Sequence, residues 1–243
     1  PFSEQLRQRT DREKKQLAAR YAAVADKRTD LTGEDHYYHG LLHWIAENLD
    51  GTAAALGRFL ADPTATADKA QRSRSVIAVI HAKQKKMAEA EAMKVEYLSK
   101  EPTRLSERAR IESELAKAYR SLGDHAKAGP RAEQAYTAAK ALVADPASRT
   151  QSLDELLDAG MLVFESFRDQ GMIAEADNAL IDMRATAASI GSPSFFYYAA
   201  DKLITHRIET GRKALGLETV AESVAMAERE FKVPGQRVEV ARK

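Results

Sequence analysis

The chain contains no cysteine, seven prolines, twelve glycines and a single tryptophan among 243 residues. Without cysteine there is no disulfide staple, no thiolate metal site and no thiol catalysis within the sequence. No apolar run approaches the roughly 20 residues that a membrane-spanning helix needs. An excess of one charge is also lacking, since 37 Lys and Arg stand against 36 Asp and Glu. That balance argues against a general polyanion binder and leaves local patches open. Scarce glycine and proline beside 44 alanines favour helix over sheet. The length suffices for one large domain or two small ones. The start at Pro1, with neither an initiator Met nor a signal-peptide pattern, reads as processed or excised.

Helical punctuation recurs along the chain. Ser3 is placed to cap a first helix running to about Lys27, with Leu6, Leu17, Tyr21 and Val24 on its apolar side. Thr32 with Asp35 opens a second helix, and Ser152 with Glu155 has the spacing of a capping box. Asp62-Pro63 and Pro102-Thr103 mark stops followed by starts. Gly123-Asp124 reads as a helix-to-helix turn, and Gly191-Ser192-Pro193 gives a terminal glycine, a cap and a proline at the first helical position. Only Val238 to Val240 alternates as a short strand would. The expectation is an all-α fold of about 10–12 helices.

Helices of this length joined by short turns call for a repeat search. Aligning Asn48-Leu49-Asp50-Gly51-Thr52, Lys86-Met87-Ala88-Glu89-Ala90 and Asp124-His125-Ala126-Lys127-Ala128 places Thr52, Ala90 and Ala128 at intervals of 38 residues. Gly171 to Ala176 continues the pattern after a longer gap. The third unit aligns Leu115, Ala116, Tyr119, Gly123, Ala128 and Ala135, and the fourth Phe164, Phe167, Gly171, Ala176 and Met183. In these residues the chain resembles the tetratricopeptide repeat family, over about residues 33–230. The resemblance implies a right-handed superhelix of antiparallel helix pairs. The expected layout is a capping helix at 1–31, pairs at 32–68, 69–102, 103–145, 152–191 and 192–230, and a linker or tail at 231–243.

Members of that family hold a peptide or partner in the groove lined by the first helix of each pair. Carried over, the groove positions are Arg72, Ser75, Val79 and Lys83 in the second unit and Arg110, Ser113, Lys117 and Arg120 in the third. The five cations Arg72, Lys83, Arg110, Lys117 and Arg120 then form a basic wall suited to an acidic protein segment or a carboxylate. The fourth unit places Asp158, Glu165 and Asp169 beside Arg168 instead. The family's clamp for terminal carboxylates needs paired groove asparagines, and Asn48 and Asn178 fall on no groove position. A nucleic-acid partner is not expected: Lys69, Arg72, Arg74, Lys83, Lys85 and Lys86 point in several directions and lack interleaved aromatics.

The densest unusual segment is His36-Tyr37-Tyr38-His39-Gly40-Leu41-Leu42-His43-Trp44. A helical wheel gathers Tyr37, Leu41, Trp44, Ile45 and Leu49 on one face and His36, His39 and His43 on the opposite, polar side. The repeat alignment instead puts these histidines on packing positions; the wheel is the reading adopted. His39 and His43 at i, i+4 form half of a helical zinc or nickel site, with Glu47 as a third ligand and His36 nearby. A pH-sensitive surface is the other use of three adjacent imidazoles. The run Phe195-Phe196-Tyr197-Tyr198 is expected in the core of the last pair.

No enzymatic signature appears. Gly211 to Gly216 lacks the Gly-Lys-Ser/Thr of a phosphate loop, and there is neither a Gly-x-Ser-x-Gly elbow nor a recognisable acid/base pair. No catalytic residue and no cofactor are expected. The expected role is a protein-interaction scaffold binding a protein or peptide. The layout is also similar to the helical segment preceding the redox domain in some exported bacterial thioredoxin-like proteins, which implies an accessory domain and leans towards export. Metal or proton sensing by the histidines is a third reading.

Overall fold

A computed structural model describes residues 2–231; the expected extended stretch at Val238–Val240 lies outside them. Among the described residues there are eleven α-helices and no strand. They are α1 (Phe2–Ala25), α2 (Glu34–Ile45), α3 (Leu49–Ala61), α4 (Ala67–Lys83), α5 (Met87–Leu98), α6 (Leu105–Ser121), α7 (His125–Ala144), α8 (Arg149–Asp169), α9 (Ile173–Ser189), α10 (Pro193–Glu209) and α11 (Lys213–Glu230).

One turn is used again and again. The helices α2, α4, α6, α8 and α10 each end in a residue of positive φ: Glu47 at 60°, Lys85 at 59°, Gly123 at 75°, Gly171 at 72° and Gly211 at 78°. The next residue's N–H then donates to a carbonyl five positions back, as in Asn48 to His43, Lys86 to His81 and Asp124 to Tyr119, at 2.9–3.0 Å. This pattern satisfies the orphan carbonyls at a helix end and reverses the chain within two residues. That residue also caps the following helix, and Asn48 and Asp124 add side-chain oxygens that accept from the N–H groups of Gly51 and Lys127. Five positions after each left-handed residue stands a small buried one: Thr52, Ala90, Ala128, Ala176 and Gly216. The first four are wholly buried, so the helices of a pair approach with nothing larger between them.

The chain forms two compact units that divide after Glu107. In the first, α1 to α5 pack each on its neighbour in sequence. Tyr37, Leu56, Phe59, Val76, Ile77 and Ile80 build its core, from α2, α3 and α4. Gly40 admits Leu56, whose side chain lies 2.6 Å from where a Cβ would stand. The wholly buried Gln71 of α4 donates to the carbonyls of Tyr97 at 3.0 Å and Pro102 at 3.3 Å, closing the C-terminal end of α5.

In the second unit α7 to α11 pack in the same sequential manner. Leu156, Phe164, Leu180, Met183, Phe196 and Leu203 fill its core. Phe195 and Phe196 are buried as expected, and Tyr198 stands at the surface. Phe231, expected to begin a tail, is instead buried against Phe196 with ring centroids 5.3 Å apart.

Two local expectations fail. The apolar stripe of α1 faces solvent, with Leu6, Leu17, Tyr21 and Val24 each half or more exposed, because the small Ala18 and Ala22 make the helix's buried contact. Ser152 does not cap α8: the helix starts earlier, at Arg149, and Ser152 is buried within it.

Candidate functional site

The five candidate cations fall in both units. In the first, Arg72 and Lys83 lie on α4 and are exposed, while Ser75 and Val79 between them are buried. The expected groove row on α4 is therefore interrupted, because this helix is enclosed over most of its circumference. Lys83 instead joins Lys14, Lys15, Trp44 and Glu47 around a cleft of ≈ 380 Å³.

In the second unit Arg110, Lys117 and Arg120 lie on α6, and acids of α8 meet them. Arg120 Nε stands 2.5 Å from Asp169 Oδ2, and its Nη1 pairs with Glu165. Burial pushes the Asp169 carboxyl up, but Arg120 and Arg168 outweigh it and hold the group below its ordinary range. Arg120 thus ties α6 to α8. Lys117 is 3.1 Å from Glu114 on its own helix. Arg110, Ser113 and Lys117 line a cleft of ≈ 220 Å³ together with Glu114, Glu155 and Asp158. Partial burial raises the Glu155 carboxyl's pKa, and Arg110 opposes that rise. The face has a basic row on α6 and an acidic row on α8, and the wall of cations without acids is corrected accordingly.

The histidines differ most from expectation. His39 and His43 are not on a solvated side of α2: each is about 4% exposed. The repeat alignment placed them correctly where the wheel did not, because the N-terminal segment covers the face that the wheel reads as polar. Asp26, in the turn after α1, carries its carboxylate to them. Its Oδ1 lies 3.0 Å from His39 Nε2 and 3.1 Å from His43 Nε2, and the two Nε2 atoms are 3.0 Å apart. Glu47 is elsewhere, exposed and 2.6 Å from Lys15. His36 is half-buried and, with Asp26, His39, Arg28 and Arg58, borders an open pocket of ≈ 360 Å³.

The neighbours fix the two rings. Asn48 Oδ1 accepts from Gly51 N–H at 3.0 Å, so its Nδ2 faces His43 Nδ1 at 3.1 Å. Gly51 leaves the ring room, since a Cβ there would stand 2.6 Å from His43 Nδ1. Burial and the neighbouring His43 push the His39 imidazole towards its neutral form, against the pull of Asp26. Sequence spacing could supply the i, i+4 histidines but not Asp26, which the return of the chain after α1 brings in.

A buried charge cluster in the second unit also escaped sequence reasoning. Asp177 of α9 accepts from Arg212 through both oxygens, at 2.7 and 2.9 Å, and from Arg207 Nε at 2.9 Å. Burial raises this carboxyl, but the two guanidinium groups hold it below its ordinary pKa. Arg207 reaches on to the Thr219 hydroxyl, so the cluster fastens α9, α10 and α11 together.

Compared with protein-family models the chain finds no match, and compared with curated protein sequences it finds none. No helix among the described residues is long and apolar enough to cross a membrane.

Proposed function

We propose that the chain is a tetratricopeptide-like helical-repeat module that holds a segment of a partner protein against the first helices of its pairs. The repeated two-residue turn and the buried small residue five positions later support the repeat assignment. The observation that carries the binding role is the α6–α8 face, where Arg110, Ser113 and Lys117 oppose Glu155 and Asp158 across a narrow cleft. At ≈ 220 Å³ the cleft is smaller than the roughly 300 Å³ at which small-molecule pockets begin, and it suits side chains of a larger partner. Arg120, tied to Glu165 and Asp169, is a structural residue in this reading. The partner segment presents a carboxylate to Arg110 and Lys117, where paired guanidinium and ammonium donors favour it.

An array of acidic peptides probed with the full chain tests this. Binding of a selected peptide should weaken at least tenfold in the Arg110→Glu/Lys117→Glu variant and fall with added salt. Undiminished binding by the double variant would remove the α6–α8 cleft as the site.

A further inference from the structure

Asp26 Oδ1, His39 Nε2 and His43 Nε2 form a triangle of potential metal-ligand atoms, each pair 3.0–3.1 Å apart. A ring nitrogen is either a donor or an acceptor, and a carboxylate oxygen only accepts. If both Nε2 atoms carry protons, both donate to Asp26 Oδ1 and the 3.0 Å contact between the two nitrogens is left without a hydrogen bond. If one is bare, its lone pair confronts the carboxylate at a similar distance. With Asp26 ionised, at most two of the three contacts in the triangle are hydrogen bonds, and both histidine side chains are almost fully buried, at 3% and 6% exposure.

A divalent cation accepts all three lone pairs at once. We infer that Asp26, His39 and His43 form a site for a first-row divalent transition metal, with zinc as the representative ion. An ion about 2.05 Å from three atoms spaced 3.0–3.1 Å apart would see each pair at about 95°, between octahedral and tetrahedral values. Two histidines and one carboxylate on one side of an ion leave its remaining positions open. A pocket bordered by Asp26, His36, His39, Arg28 and Arg58 adjoins the site and would give an entry path. Its two arginines suit an anionic group bound at the open positions. The site would also clasp the end of α1 to α2.

Two features oppose loading, the buried His39 Nδ1 that has no hydrogen-bond partner for its proton and the amide of Asn48, and the second supplies a sharp test. Coordination through Nε2 requires His43 to carry its proton on Nδ1, where it needs an acceptor. Asn48 presents its amide Nδ2 there while its oxygen caps α3 at Gly51. Loading therefore makes Asn48 turn its amide and surrender the cap. An aspartate at this position serves both demands, one oxygen for Gly51 N–H and the other for His43 Nδ1–H.

The experiment is titration of the full chain, freed of metal by chelator, with Zn²⁺ and Co²⁺ followed by calorimetry and by the visible spectrum of Co²⁺. The expected result is one ion per chain. Asp26→Asn changes a half-exposed side chain and keeps its shape, so it should fold, and it should bind at least tenfold more weakly. Asn48→Asp should bind about tenfold more tightly. Glu47→Gln should not change the affinity. Absence of stoichiometric binding by the unaltered chain would overturn the inference, as would Asp26→Asn binding equally well. Circular dichroism of each variant confirms that the comparison is made between folded proteins.

Discussion

Lys85 and Gly123, 38 residues apart, hold the same place in successive helical turns, with φ of 59° and 75°. In each case the following N–H, of Lys86 or Asp124, donates to the carbonyl five residues back, His81 or Tyr119. The turn is thus dictated by the bonding at the helix end, and glycine only lowers its cost. A lysine in the left-handed region costs roughly 1–2 kcal/mol relative to ordinary backbone. Glycine recovers most of that but loses more entropy on folding. Lys85→Gly should therefore stabilise the protein by about 0.5 kcal/mol. Gly123→Ala should destabilise it by about 1 kcal/mol, purely through φ, because a Cβ there meets nothing within 4 Å. Urea denaturation followed by circular dichroism checks both signs.

Ala128 is wholly buried on α7. Ala128→Leu should cost about 1–3 kcal/mol by overpacking, whereas Ala126→Leu, at an exposed position of the same helix, should change stability by less than about 0.5 kcal/mol. Equal effects at the two positions would contradict the packing role.

Asp177→Ala leaves Arg207 and Arg212 without their buried carboxylate. A loss of about 3–5 kcal/mol is expected from denaturant midpoints. Asp177→Asn should lose less, since its oxygen still accepts from an arginine.

His206 sets a pH dependence with a defined sign. Burial lowers its pKa; nearby Arg212 and Arg168 add to that, while Asp177 and Glu209 oppose it, and Phe164 packs edge-on against the ring. The unfolded chain takes up the proton first as pH falls below about 6.5, so stability should decline from there downwards. Above that pH the group is neutral in both states and contributes no slope. In chelator-treated protein, His206→Gln should show a shallower decline between about pH 6.5 and 5 than the unaltered chain. An unchanged slope would assign the dependence to other groups.

Helix positions were legible in the sequence because glycine turns, caps and small residues recur at fixed offsets. Thr52, Ala90, Ala128 and Ala176 were found by alignment, and all are wholly buried. What periodicity could not supply was which face of a helix another segment covers. On α2 a polar-looking row, His39 and His43, is buried under the N-terminal segment; on α1 an apolar-looking row is left exposed. Burial of α4 on most sides likewise hides Ser75 and Val79, which a single groove register places in the open. The sequence places the acids Glu165 and Asp169 beside Arg168, yet their pairing with Arg120 depends on how α8 lies along α6. Asp26 and Asp177 carried no local motif, because their partners lie on other helices.

The most direct test of the binding account places a photo-crosslinking side chain at Ser113, in the α6–α8 cleft, or at Gln134, exposed on α7. Each protein is irradiated with the acidic peptide selected by the array. The account predicts a crosslinked product from position 113 that disappears in the Arg110→Glu/Lys117→Glu background, and none from position 134. Crosslinking from 134 and not from 113 would contradict it.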